Sequence, residues 1–260
     1  MTISVHAPLA TGRLLTGRVV TLHRRAANLA SSDGQFFTVV DAELGNGPAT
    51  IAMDGAAPLP WQEGQVVRLH LPPDALPWSP AAPPAFRALQ SPAREIAMQA
   101  LLATAPRDGC LPAVAPLLLD GNLPDTGYSP GIKALAARRW QLAVAELAGL
   151  GPGLTPSGDD LLMGYLLALD RVRAARAGDL AKAINALPDG QTTPISHHLL
   201  RWAARGVAGE QALHWLDSVI MGRPVAPNWA AVHGATSGFD WAAGALLALH
   251  HLATVKERSA

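Results

Sequence analysis

Cysteine is nearly absent from this 260-residue chain: Cys110 stands alone. A single cysteine excludes an internal disulfide framework and fits a reducing compartment, so a cytoplasmic protein is expected. Around it, Arg107-Asp108-Gly109-Cys110 offers no nearby histidine, and Asp108 offsets the one cation, so a packed thiol is expected rather than a nucleophile. Charge is scarce as well. Twenty Lys and Arg balance twenty Asp and Glu, and charged residues make up 15% of the chain, against roughly 25% in ordinary soluble domains. Without clustered positive charge the chain is not expected to bind nucleic acid. The longest all-apolar runs, Leu161 to Leu169 and Trp241 to Leu249, are too short to span a bilayer as helices, and Met1 to His6 carry no secretory pattern. No membrane association is expected. The 49% hydrophobic content fits either a subunit interface or a bias of composition.

What is present changes character along the chain. Residues 1–71 carry short strand-like segments at Leu14-Leu15, Val19–Leu22, Phe36–Val40, Thr50–Met53 and Val66–Leu71. Turn clusters at Ser31–Gly34, Gly45–Pro48, Asp54-Gly55 and Glu63-Gly64 separate them, which predicts a small, barrel-like antiparallel β domain. Six prolines between 72 and 84 predict a semi-rigid linker. From 85 to 260 the period becomes helical, and a mainly α-helical domain is expected, so the fold class is α+β. Helices are predicted at 86–103 with a restart at Ser91-Pro92, and at 132–148, 179–186, 196–205, 211–221 and 241–252. The Pro-rich section 106–131 reads as loops with one short helix at most.

One stretch asks for more than packing. Gly149-Leu-Gly-Pro-Gly-Leu-Thr-Pro-Ser-Gly-Asp-Asp160 combines glycines, hydroxyls and adjacent carboxylates directly ahead of an apolar helix. Amides at a helix N-terminus have no intrahelical partner and the dipole adds positive potential, so such an entrance suits an anion. It joins two helices, lacks the Gly-Lys-Ser/Thr of a Walker loop, and fails the GxGxxG pattern at Leu154 or Pro156. Its end recurs eighty residues later: eight of fifteen positions agree between 155–169 and 235–249, including Ser157/Ser237, Gly158/Gly238, Asp160/Asp240 and Gly164/Gly244. The repeat predicts two similar buried helices whose glycines permit close approach. Ser followed by Asp three residues later is also a capping-box signature, and that is the expected role of Ser237 and Asp240 and part of the role of Ser157 and Asp160. Capping leaves Gly151, Gly153, Thr155 and Asp159 unexplained.

The candidate substrate-binding residues are therefore Gly151, Gly153, Thr155, Ser157, Gly158 and Ser237, with Asn46 from the Gly45–Pro48 turn and Thr193 and Ser196 from a second polar cluster, Gln191 to His198. In that cluster Ser196 is a candidate N-cap. The turn itself reads first as a loop needing positive φ at Asn46 or Gly47. Asp159, Asp160 and His197 are the candidate acid/base groups. No zinc spacing is present and no metal ligand is assigned; no cofactor is called for, although Asp159-Asp160 leaves a hydrated Mg²⁺ open.

The twelve-residue motif, together with Arg25–Leu29, Leu44–Pro48, Thr193–Ser196 and Ser237-Gly238-x-Asp240, resembles the AllH-like family. Its namesake is a subunit of the oxamate carbamoyltransferase of anaerobic allantoin breakdown. The resemblance implies a heteromeric complex, a small anionic substrate, and carbamoyl transfer such as oxalurate plus phosphate giving oxamate and carbamoyl phosphate. A phosphate or carboxylate would sit on the amides of Gly151, Gly153 and Gly158, with Thr155 and Ser157 as further donors. A non-catalytic subunit that binds an anion or nucleotide, regulating or scaffolding its partners, is the competing reading.

Overall fold

A computed structural model describes residues 1–4, 14–55, 58–85, 91–225 and 228–257. The chain divides into two compact units, residues 1–81 with 207–213, and residues 82–206 with 214–260.

The first unit is a curled sheet of seven strands: β1 Thr2–Ser4, β2 Leu14–Leu22, β3 Ala26–Ala30, β4 Phe36–Asp41, β5 Thr50–Met53, β6 Val66–His70 and β7 Leu76–Trp78, in the order β6-β2-β3-β4-β5-β1-β7. Alternation sets its inner face. Along β2, Gly17, Val19 and Thr21 are buried while Thr16, Arg18 and Val20 are exposed. The core gathers Val19, Leu29, Phe37, Val39, Ile51 and Leu71. Gly17 is required there because a Cβ would lie 2.6 Å from the Phe37 ring.

The sheet is mixed. β2 pairs antiparallel with β3 and β6, and β3 with β4, but β4 runs parallel to β5 and β1 parallel to β7. β3 falls on Ala-Ala-Asn-Leu-Ala, where no strand is predicted: intrinsic propensity is low, but its position between β2 and β4 satisfies both backbone edges. Asn28 is held there by Thr21 and Thr38 at 2.8 and 2.9 Å. β7 lies within the proline-rich stretch, where the sequence predicts no sheet, and Pro77 is tolerated because β7 is an edge strand. Positive φ in the Gly45–Pro48 turn falls on Gly45 (76°), rather than on Asn46 or Gly47.

The second unit contains helices α1 Ser91–Leu102, α2 Leu111–Asp120, α3 Ser129–Ala136, α4 Trp140–Leu147, α5 Ser157–Arg171, α6 Ala177–Asn185, α7 Pro194–Ala203, α8 Glu210–Ile220 (whose first turn belongs to the first unit) and α9 Ser237–Glu257. The α+β class stands as read from the sequence. Residues 86–90 of the predicted first helix lie outside the described residues. The Pro-rich section carries a ten-residue helix, α2, with Pro112 in its first turn and Pro116 inside. The helix expected over 132–148 is two helices, broken where Arg138 takes a φ of 57°.

The core of this unit is the pair α5 and α9. Residues 157–169 and 238–249 are buried on every side. A Cβ on Gly164 would meet the Trp241 carbonyl oxygen at 1.8 Å, and one on Gly244 the Leu161 carbonyl oxygen at 2.0 Å. Only glycine permits backbones that close. No helix among the described residues is long and apolar enough to cross a membrane.

Candidate functional site

The α4–α5 connection and the entry to α9 are two versions of one unit. At the end of α4 the Leu150 amide donates to the Leu147 carbonyl (3.0 Å) and the Gly158 amide donates to the Leu150 carbonyl (2.8 Å). Ahead of α9 the His233 amide donates to the Ala230 carbonyl (3.2 Å) and the Gly238 amide to the His233 carbonyl (3.1 Å). Gly158 and Gly238 share a reason as well, since a Cβ would lie 2.0 Å from the Leu147 oxygen in one and 2.3 Å from the Ala230 oxygen in the other. The copies differ in length. Residues 151–156 separate Leu150 from Ser157, whereas residues 234–236 separate His233 from Ser237, three fewer. The glycine-rich motif is thus the repeated unit with a longer lip, in which Gly151 and Gly153 hold φ of 116° and 96° and Pro152 to Leu154 are exposed.

Capping does not account for the serines. α5 begins after Pro156, which has no side-chain cap bond, and the Asp160 amide bonds the Pro156 carbonyl at 3.1 Å. In α9 the Asp240 amide bonds the Thr236 carbonyl at 2.9 Å, which places Ser237 in the first turn. The hydroxyls are used across the structure instead. Ser237 Oγ and Thr155 Oγ1 lie 2.7 Å apart, and Ser157 is hydrogen-bonded with the Tyr128 side chain. Likewise Ser196 is not the N-cap of α7. Thr193 is, accepting from the Ser196 amide at 3.1 Å, and the helix starts earlier than expected at Pro194.

Asp159 and Asp160 are adjacent and face different ways, as neighbours about 100° apart on a helix do. Asp159 is fully buried and accepts from the Gly149 amide (2.9 Å), the Ser196 hydroxyl (2.6 Å) and the Thr192 hydroxyl. It ties the end of α4 and the start of α7 to α5. The Thr193 hydroxyl also donates to the Leu154 carbonyl, fastening the lip.

Asp160 is 3% exposed, and its Oδ2 has no hydrogen-bond partner. Burial pushes its carboxyl well above the usual range; hydrogen bonds with Ser237 and Thr155 oppose this, and Asp240 and Asp159 add to it. Asp240, its repeat partner, is fully buried: Oδ1 accepts from the Cys110 amide at 2.7 Å and Oδ2 has no partner. Gly109 makes room for this carboxylate, because a Cβ there would lie 2.5 Å from Asp240 Oδ1. The Cys110 thiol is buried and pushed up, first by burial and then by Asp240, as suits a packed cysteine. Burial also raises Tyr128.

Of the sequence-predicted residues, the structure gathers Gly151, Gly153, Thr155, Ser157, Asp159, Asp160, Thr193, Ser196 and Ser237 around the lip and the two helix entrances. Gly158 lies among them, but its amide is already engaged by Leu150, so its place rests on packing rather than on ligand contact. His197 is turned elsewhere, with Nδ1 3.7 Å from Asp189, Nε2 unpartnered, and no hydrogen bond or ion pair to the motif. Asn46 belongs to the first unit, where Glu210 holds its amide and Nδ2 at 2.9 and 3.4 Å. Sequence reasoning missed Tyr128 and passed over Asp240 as a cap. The repeat marked Asp240, whereas nothing marked Tyr128. No three His, Cys, Asp or Glu side chains among the described residues are grouped to hold a metal ion.

Two buried helices, related by a repeat and joined at their N-terminal hydroxyls over a pair of carboxyls, define the class of site. The model of the family described as oxamate carbamoyltransferase subunit AllH matches residues 147–249, which contain that repeat whole, and the AllH family N-terminal domain matches residues 1–76. The chain belongs to the AllH family. No solved structure matches it.

Proposed function

We propose that the chain is a subunit of a carbamoyltransferase-type enzyme acting on oxamate or oxalurate with phosphate or carbamoyl phosphate, and that it works within a heteromeric complex. Family membership supplies the reaction class. The observation that carries the site is the Thr155–Ser237 contact, which brings two helix entrances and the glycine lip together above the buried Asp160. The anionic end of the substrate sits on the amides of Gly151 and Gly153 and the hydroxyls of Thr155 and Ser237. Asp160, whose carboxyl burial pushes well above the usual range, is the proton carrier. When a phosphate oxygen attacks the carbamoyl carbon of oxalurate, the C–O bond forms, the C–N bond breaks, and the departing oxamate nitrogen takes that proton. Asp159 positions the loop and does not touch the substrate.

A thermal-shift panel with phosphate, carbamoyl phosphate, oxamate and ATP tests the binding. Stabilisation by a few degrees, about the size expected at saturating ligand, is expected with carbamoyl phosphate or oxamate. In transfer assays with co-purifying partners, Asp160→Asn retains binding and loses roughly 10²- to 10⁴-fold in turnover, the usual worth of a proton carrier. Full activity of that variant overturns the assignment. The competing reading, a non-catalytic anion- or nucleotide-binding subunit, draws on one observation: His197, the one histidine among the candidate acid/base groups, has its Nδ1 3.7 Å from Asp189. Stabilisation by ATP alone would favour it.

A further inference from the structure

Two buried carboxyl oxygens of the second unit have no hydrogen-bond partner among the described residues. Asp160 Oδ2 and Asp240 Oδ2 are both buried without partners, although the same side chains are otherwise provided for, Asp160 by Ser237 and Thr155 and Asp240 by the Cys110 amide and thiol. A buried carboxyl oxygen left unpaired costs free energy, so two at repeat-related positions call for a common reason. Gly109 leaves the space its side chain would fill to Asp240, and Asp160 is hydrogen-bonded with Ser237 and with Thr155 at the end of the lip.

We propose that Asp160 and Asp240 recognise the carbamoyl end of the substrate as an amide-binding pair, one carboxyl donating to the C=O and the other accepting from the NH₂. Asp160, whose neutral form burial favours, presents a donor, and Asp240, which already accepts from the Cys110 amide through Oδ1, presents Oδ2 as an acceptor. A primary amide or ureido group presents the complement. A second anion does not, because it would bring negative charge against the accepting oxygen. Burial first, with the neighbouring Asp240 and Asp159 adding to it, favours the neutral form of Asp160. The substrate is then read at both ends: its anion by the lip, its amide by the carboxyl pair. This rests on the carbamoyltransferase reading for the identity of the ligand.

Calorimetric titration of the full chain, purified with its co-purifying subunits, separates the two readings. Oxamate and oxalate share size and one carboxylate, but oxalate has an oxygen anion where oxamate has NH₂. Oxamate is expected to bind at least about tenfold tighter, as a site built around an N–H donor rejects an analogue lacking it. Asp240→Asn removes the acceptor and is expected to abolish that preference, whereas Asp160→Asn keeps a donor and preserves it. Oxalate binding as tightly as oxamate to the wild-type protein overturns the amide pair and leaves the anion lip standing, and needs no variant to fold. Failure of oxamate, oxalate, phosphate and carbamoyl phosphate alike to bind overturns the carbamoyltransferase reading and the pair together.

Discussion

Gly164 and Gly244 answer each other across the α5–α9 contact. Gly164 faces the carbonyl of Trp241, Gly244 faces the carbonyl of Leu161, and Leu161 and Trp241 are themselves equivalent positions eighty residues apart. The reciprocity is that of a local two-fold, and it carries Asp160 and Asp240 to matching places one turn away. Adding a methyl at either glycine forces backbone, not a flexible side chain, to move. Gly164→Ala and Gly244→Ala should each cost about 1–3 kcal/mol or more, by the usual scale of overpacking. Chemical denaturation measures it, and a loss below a few tenths for either variant would contradict the close approach.

Asp159 serves three donors from two other segments. Asp159→Ala should therefore destabilise by on the order of 3 kcal/mol or more, leaving the Gly149 amide and two hydroxyls unpaired. Asp159→Asn should cost less, about 1–2 kcal/mol, because Oδ1 can keep the Gly149 amide while Ser196 and Thr192 turn to accept from Nδ2. Hydrogen exchange at Gly149 would accelerate in the alanine variant and change little in the asparagine one.

Asp160 gives a pH signature. Its folded carboxyl titrates well above 3.8, so protonation favours the native state: its contribution is complete below the unfolded value and is lost as pH rises through the folded one. Asp159, Asp240, Thr155 and Ser237 are the groups that bear on it. Asp160→Asn cannot ionise. Its Tm relative to wild type should rise with increasing pH, and a gap that stays constant from acid to alkaline buffer would refute the shift.

His251 should behave in the opposite sense. Burial, with His250 and Arg138 adding to it, depresses the imidazole from 6.5 to about 4, and Nδ1 lies 2.9 Å from the Tyr165 hydroxyl. A base with a depressed folded value stabilises the native state above its unfolded value, and that stability drains away as pH falls from 6.5 to about 4. Comparing Tm over this window in wild type and His251→Gln should show the wild-type decline flattened in the variant, and two parallel curves would count against a buried neutral imidazole.

Much of this was written in one dimension. The Ser-Gly-x-Asp repeat announced two equivalent helices, and its glycines announced their contact, because a backbone approach needs glycine wherever it occurs. Thr50–Met53 could be read as a strand from its β-branched residues and flanking turns. Composition alone removed disulfides from consideration. What the sequence could not determine is direction and company. β3 is a strand because β2 and β4 flank it, a fact absent from Ala-Ala-Asn-Leu-Ala. Residues 207–213 join the sheet unit through Glu210 and its hold on Asn46, a pairing 164 residues apart in sequence. Ser196 and His197 are neighbours on α7, yet the first is drawn to Asp159 and the second turned toward Asp189. Asp159 and Asp160 divide in the same way, one saturated with donors and the other left with an open oxygen. The chain determined which residue types stand in the motif. Only the tertiary structure decided which way each points, because a helix turns successive side chains about 100° apart and the neighbours that meet them come from distant segments.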